Sequence, residues 1–283
     1  MSRLALETTI LTHGVPRNAA LPLARELGRI ALENGAEPAL VGVHRGVPVA
    51  SLSEAQLIEI LETSNIPKAN SANLGALMHR GSHASTTVAA TMEIAAASGI
   101  RVFATGGIGG VHKGFAKHLD ISADLLALTR FPVAVVASGV KSILDVAATR
   151  EVLETLGVPV IGYRTDAFPA FYLRESGAGV DARFDDPMEL ARFVGAEIGR
   201  TGRGLLIANP IPIESELDPT AFSRWLDAAE REVATQAVGR NATPSLLGKL
   251  HELSGGATLR ANLDLIRSNT ALGARIAASL GDH

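Results

Sequence analysis

No cysteine occurs among the 283 residues. Disulfides, thiolate nucleophiles and cysteine-based metal centres are thereby excluded, and a cytoplasmic setting is the expectation. A basic excess is also missing. The formal net charge of −3 and the pI near 6.2 leave no broad cationic face for nucleic acid. No apolar stretch approaches the roughly 20 residues needed to cross a bilayer. The opening MSRLALETTIL has no apolar core followed by a small-residue cleavage site, so neither a membrane span nor a signal peptide is expected. Gly/Ser/Pro linkers, low-complexity tracts and internal repeats are lacking as well. Residues 1–283 are therefore read as one domain, long enough to bury a sizeable core.

What remains is 47% hydrophobic and rich in Ala and Gly, the composition of a soluble α/β protein. Apolar strand-like runs alternate with amphipathic segments. Leu4–Leu11 alternates and predicts a strand with Glu7 in its middle, and Arg17–Glu33 predicts a helix ending at Asn34-Gly35. Pro38–Val43 and Gly46–Val49 read as a hairpin, and Ser53 as the cap of a helix through Leu61. Ile66–Ser85 reads as loop, Thr86–Ala97 as a small-residue helix, and Val102–Ala104 and Val133–Ala137 as buried strands. Further on come a helix over Asp145–Leu156, strands over Val158–Gly162, Val180–Arg183 and Gly204–Ala208, and a helix over Met188–Ile198. Helices over Pro219–Val238, Thr243–Leu253 and Leu259–Leu280 close the chain. This alternation predicts a three-layer α/β/α architecture around a mainly parallel or mixed sheet.

Chemistry in such sheets lies beyond the carboxyl ends of the strands, which directs attention to Arg101–Asp145. Lys141, one of only five lysines, follows the apolar VAVVASGV and precedes Ser142-Ile-Leu-Asp145, an S-x-x-D capping pattern. An amine between an apolar core and the positive end of a helix is disfavoured as ammonium, and the neutral form attacks carbonyls. The run GGIGGVHKG (Gly106–Gly114) can bring backbone N–H groups close to an anion such as a sugar phosphate, although its spacing is neither a dinucleotide fingerprint nor a Walker loop. Asp120-Ile-Ser122-Ala-Asp124 opens a helix, where a carboxylate acts as a cap or as a metal ligand. Without a dense His/Asp/Glu cluster, such a metal keeps most of its waters, as Mg²⁺ or Mn²⁺ does. Glu7 within an apolar strand suits either an exposed edge or acid/base work. Lys68, His13 and His83 read as surface residues and Asn262 as a solvent-facing position on a helix. No GxSxG elbow supports acyl transfer.

Taken together, ALETTILTHGVP, STTVAATMEIA, FATGGIGGVHKG, DISADL, SGVKSILD, GVPVIGYRTDAFPAFY, IANPIP, ATPSLLGKLHELSGG and LRANLDLIRSNTALGARIA resemble the pseudouridine-5′-phosphate glycosidases, a group related to the indigoidine-synthase-A-like proteins. The segments run in order over essentially the whole chain. The resemblance implies reversible cleavage of a C-glycosidic bond, releasing uracil and ribose 5-phosphate. It implies Lys141 as the nucleophile forming a Schiff base with C1′ and Glu7 as the proton donor. Asp120 is implied as the ligand of a divalent metal, usually manganese. Ser122, Ala123, Asp124, Lys68, Val88, His112 and Asn262 line the implied substrate site, and the implied assembly is a homotrimer. The chain departs from the family after Lys68, reading Ala-Asn-Ser-Ala-Asn-Leu74 where members carry a Ser-Arg-Arg-Asp-like run. Arginine is a natural phosphate or carboxylate clamp. A C-glycosynthase joining ribose 5-phosphate to an acceptor other than uracil is therefore the alternative expectation.

Overall fold

The structure is a computed structural model and describes residues 2–233 and 242–281. The first strand, β1 (Arg3–Glu7), ends where Thr8 turns its hydroxyl onto the Val41 carbonyl at 3.0 Å, and a π-helical turn (Ile10–Gly14) follows. The alternation through Leu11 overstates the strand: the Thr8 and Thr9 hydroxyls bond the Val41 and Thr86 carbonyls of other strands, and the chain turns there instead of extending the ladder. Glu7 consequently stands at the carboxyl end of β1 and not in its middle.

Helix α1 (Arg17–Glu33) buries Ala20, Leu23, Leu27 and Ala31 at helical spacing. Strands β2 (Glu37–His44) and β3 (Val47–Val49) form a hairpin through Arg45-Gly46, both at positive φ. Helix α2 (Glu54–Glu62) opens on a capping box: Gln56 N donates to Ser53 Oγ at 3.3 Å and Ser53 N to Gln56 Oε1 at 2.9 Å. Between Ile66 and Ser85, expected as loop, the chain forms β4 (Lys68–Ala69), α3 (Leu74–His79) and β5 (Ala84–Thr86). Each is too short to show a period. Then come α4 (Val88–Ala97), β6 (Val102–Ala104), α5 (Phe115–His118), α6 (Ala123–Arg130), β7 (Ala134–Ala137) and α7 (Val146–Thr155). They are followed by β8 (Val160–Tyr163), β9 (Ala182–Phe184), α8 (Pro187–Thr201) and β10 (Leu205–Ala208). Helices α9 (Pro219–Val233), α10 (Ala242–Leu253) and α11 (Ala257–Leu280) complete the described chain. The last residues of the helix expected to reach Val238 lie outside the described residues.

The ten strands make one sheet in the order β4-β5-β2-β1-β6-β7-β10-β8-β9, with β3 added to β2. From β2 to β9 every pairing is parallel, whereas β3 and β5 run antiparallel to β2. Every residue of β7, β8 and β10 is buried, so both faces of the central sheet are covered by helices, which is the three-layer arrangement expected from the sequence. Helix α11 packs against β1, β6 and β7 and contacts α1 and α8. Its Gly273 lies so close to the sheet that a methyl group there would meet Leu4 at 2.9 Å. The chain goes from β1 to β2 on one side and returns to place β6 on the other, so the crevice beyond β1 and β6 is a topological switch point.

Gly139, two residues before Lys141, has φ +74°, and a Cβ there would collide with the Pro169 carbonyl. Gly139→Ala therefore combines left-handed strain with overpacking, and a loss of about 2–4 kcal/mol is expected from urea unfolding.

Candidate active site

At the switch point Thr105, just past β6, donates its hydroxyl to Glu7 Oε1. Enclosure raises the Glu7 carboxyl above the ordinary carboxylate range. Lys141, the Thr105 hydroxyl and Lys68 oppose that rise, and Asp124 adds to it. Lys68 sits on β4, half-buried, with its pKa lowered to about 8, first by desolvation and then by the neighbouring Lys141 charge, against the pull of Glu7. It is not the surface residue the sequence suggested. Glu7, Lys68, Lys141 and Asp124 thus form one electrostatically coupled cluster, built from four separated parts of the chain. His13 remains exposed, as expected, beside Thr12.

The capping pattern around Lys141 is resolved differently from the sequence reading. Ser142 caps no helix. It donates to the Ala170 carbonyl at 2.5 Å and accepts from Tyr172 N at 3.2 Å. Asp145 is the cap, accepting from Ala148 N at 2.9 Å, and α7 starts only at Val146. Lys141 instead lies in an extended stretch: its own N–H bonds Ile108 O at 3.2 Å, and Val140 bridges to Ile108. The lysine is held by the glycine loop, not by a helix end.

The glycine loop is also more occupied than its composition suggests. Ile108 N donates to Gly139 O at 3.0 Å and Gly109 N to Asp124 Oδ2 at 2.8 Å. Val111 N donates to Thr149 Oγ1 at 2.9 Å and His112 N to Asp120 O at 3.0 Å. These N–H groups are unavailable to an anion. The glycines serve close approach instead: a Cβ on Gly107 would strike Phe171 at 2.5 Å, and one on Gly109 would strike Ser122 Cβ at 2.7 Å.

Asp124 ties the site together, its other oxygen accepting from Ala89 N at 3.0 Å in the first turn of α4, next to buried Val88. Ser122 caps α6 by accepting from Asp124 N at 3.2 Å, and Ala123 is the first residue of that helix. Asn262, on α11, is buried and its Oδ1 lies 3.3 Å from where a Gly106 Cβ would stand. It faces the loop and not solvent. Its companion one heptad on, Asn269, is fully buried. It donates to Thr105 O at 2.8 Å and Ser138 Oγ at 3.1 Å and accepts from Asn209 at 2.8 Å. Thr105, Asn269 and Phe171 were missed from the sequence. Only the seven-residue spacing of Asn262 and Asn269 on an otherwise apolar helix face carried a signal.

Asp120 is half-exposed (48%), and among the described residues His112 Nδ1 lies 3.8 Å from its carboxylate. It caps no helix, and no hydrogen bond from a described residue engages its side chain. One carboxylate surrounded by solvent fits a divalent ion that keeps most of its waters. Its neighbour Lys113 pairs with Glu230 of α9 at 2.7 Å, fastening this end of the loop.

The fold is an α/β sheet with Glu7, Lys68, Lys141 and Asp124 gathered near the strand ends. A profile of the family described as indigoidine synthase A like protein matches residues 2–279, and the chain belongs to that family. The chain is 46% identical over 279 residues to pseudouridine-5′-phosphate glycosidase 2 of Rhizobium johnstonii, covering 98% of this chain and 90% of that one. It is 45% identical over 280 residues to the pseudouridine-5′-phosphate glycosidase of Caldanaerobacter subterraneus, covering 98% and 91%. Among solved structures it is similar to the prealnumycin C-glycosynthase AlnA in complex with ribulose 5-phosphate, with TM-score 0.91, 34% identity, and 99% and 92% of the two chains covered. An indigoidine synthase A-like protein of Thermotoga maritima matches with TM-score 0.91, 36% identity, and 99% and 93% coverage. Among the described residues no helix is long and apolar enough to cross a membrane.

Proposed function

We propose that this chain is a pseudouridine-5′-phosphate glycosidase, working as one domain, that cleaves pseudouridine 5′-phosphate with water to uracil and ribose 5-phosphate, reversibly. The observation that carries this is the coupling of Lys141, Lys68 and a raised-pKa Glu7 at the switch point of the sheet. A carbon–carbon glycosidic bond does not leave as a C–N or C–O bond does, so a pair of carboxylates is insufficient. Lys141 meets that demand by adding to C1′ as the ring C1′–O bond opens; once the base carbon takes up a proton, the nitrogen lone pair forms the C1′ iminium and the electrons of the breaking C–C bond leave with the base. Glu7, whose carboxyl burial raises above the ordinary range, delivers the proton that opens the ring and manages proton transfer at the departing base, with Thr105 fixing its orientation. Water then hydrolyses the imine, releasing ribose 5-phosphate and regenerating the amine.

Lys68 supplies positive charge for the sugar phosphate, and His112, Asn262, Ser122, Ala123, Asp124 and Val88 form the walls of its site. Asp124 acts largely through backbone, since both its oxygens already accept N–H groups. Asp120 would hold a divalent metal, manganese by resemblance, whose chemistry is to neutralise anionic oxygens of the substrate. A homotrimer in the cytoplasm is the assembly and setting this reading carries.

A second reading has support in the segment after Lys68. Asn73 Nδ2 donates to Lys68 O at 3.0 Å, Asn73 Oδ1 accepts from Asn70 N at 2.7 Å, and Asn70 Oδ1 accepts from Ala72 N at 3.0 Å. The segment closes on itself and offers no guanidinium. A C-glycosynthase using a non-uracil acceptor is the corresponding alternative.

Incubating the protein with pseudouridine 5′-phosphate and Mn²⁺, and in reverse with ribose 5-phosphate and an acceptor panel including uracil, separates the two. Release of uracil and its reincorporation are expected. Turnover of another acceptor with none of uracil replaces the first reading by the second.

A further inference from the structure

Away from the cluster around Lys141, a second group of side chains meets at the edge of the sheet. His44 ends β2, Glu59 lies on α2, and His83 immediately precedes β5. The antiparallel register pairs Val43 with Ala84, so His44 and His83 come next to each other one step outward. Their rings meet edge-on, with centroids 4.9 Å apart. His44 Nε2 is 2.9 Å from Glu59 Oε2, and one ligand atom from each of the three residues lies within 4.8 Å of the others.

The hydrogen bond between His44 and Glu59 accounts for two members only. His83 Nδ1 is buried and has no hydrogen-bond partner, a costly arrangement for a polar atom. The backbone holds the three together before any ligand arrives. Gly46, in the β2–β3 turn, donates its N–H to Ser82 O at 2.8 Å and so anchors the hairpin beside His83.

We propose that His44, Glu59 and His83 form a binding site for a divalent transition ion of the zinc class, separate from the catalytic centre. Two imidazoles and a carboxylate suit Zn²⁺, Co²⁺ or Ni²⁺, whereas Mg²⁺ and Mn²⁺ favour oxygen. Bonds of about 2.0–2.2 Å need the three ligand atoms to draw closer by roughly 1 Å, within reach of side-chain rotation. The competitor is Arg45, which donates to Glu59 Oε2 at 2.8 Å and 3.2 Å but is 68% exposed and free to swing into solvent. A bound ion would join the hairpin, α2 and the segment entering β5, the strand paired with Lys68.

The test titrates Zn²⁺ calorimetrically into the EDTA-stripped full chain in excess Mg²⁺, with Co²⁺ absorption as a second readout. One Zn²⁺ per chain is expected, with intense visible Co²⁺ bands. His83→Ala and Glu59→Gln should each weaken binding by about tenfold or more and remove the bands. Arg45→Ala, an exposed change that leaves the fold alone, should tighten it by about fivefold. No binding by the wild type, binding indifferent to His83 and Glu59, or weaker binding by Arg45→Ala would each overturn the proposal. None of these outcomes depends on the glycosidase assay.

Discussion

Lys141→Ala is expected to lower turnover of pseudouridine 5′-phosphate by at least about four orders of magnitude, roughly 5 kcal/mol of barrier. Nothing else among the described residues supplies an equivalent amine in the same place. Lys68 shares the electrostatic environment but sits on β4, several strands away from the β7 end that leads to Lys141. Borohydride reduction in the presence of ribose 5-phosphate should leave a ribityl phosphate on the peptide carrying Lys141, and none in the alanine variant. Lys141→Arg separates charge from nucleophilicity: it keeps the cation but should neither trap nor turn over. Trapping on Lys68 instead, or equal trapping in Lys141→Ala, sinks the covalent scheme. The alanine variant should fold, because the main chain at 141 is secured by Ile108 O and Leu144 N and not by the side chain.

Glu7→Gln should lose about 10²–10⁴-fold in kcat while gaining stability. The amide still accepts from Thr105, so geometry survives and only the proton is lost. The wild-type folded-state pKa is raised, chiefly by enclosure, so folding binds a proton more tightly there than the unfolded chain does. The stability attached to that proton is full below the unfolded value of about 4.5 and is lost as pH climbs through the raised folded value. Thermal melts should therefore show Glu7→Gln above wild type at pH 8, the two converging toward pH 4. The alkaline limb of wild-type kcat/KM, set by loss of the Glu7 proton, should vanish in the variant. A variant less stable than wild type at pH 8 would show that the carboxylate is not strained by its surroundings.

Most of the framework was legible because it obeys simple periods. The apolar runs Val133–Ala137 and Gly204–Ala208 announced buried strands, and Ser53 announced a helix start. The identity of the reactive groups came from resemblance more than from pattern. Pattern alone placed Glu7 inside a strand and Asn262 in water, and it treated Lys68 and His83 as surface. All four depend on long-range packing: Glu7 on Thr105 across β6, Asn262 on the loop at Gly106, Lys68 on the sheet edge, and His83 on a register with His44. Local sequence does not encode which strand becomes a neighbour. The misplaced cap near Lys141 has a similar cause. Ser142 satisfied a local motif, yet its hydroxyl found a better partner in Ala170, 28 residues away.

The glycine loop carries one last implication. Its N–H groups at Ile108, Gly109, Val111 and His112 are satisfied by the protein itself. That part of the loop is thus fixed when the chain folds, and on the proposed function a sugar seated against it would meet a wall already ordered. The entropy of ordering that wall is spread over folding and is absent from each catalytic cycle. On the proposed function, adaptation to a new acceptor would fall on the Asn70–Asn73 turn, which holds the Lys68 carbonyl but among the described residues shares no hydrogen bond with Lys141 or its loop.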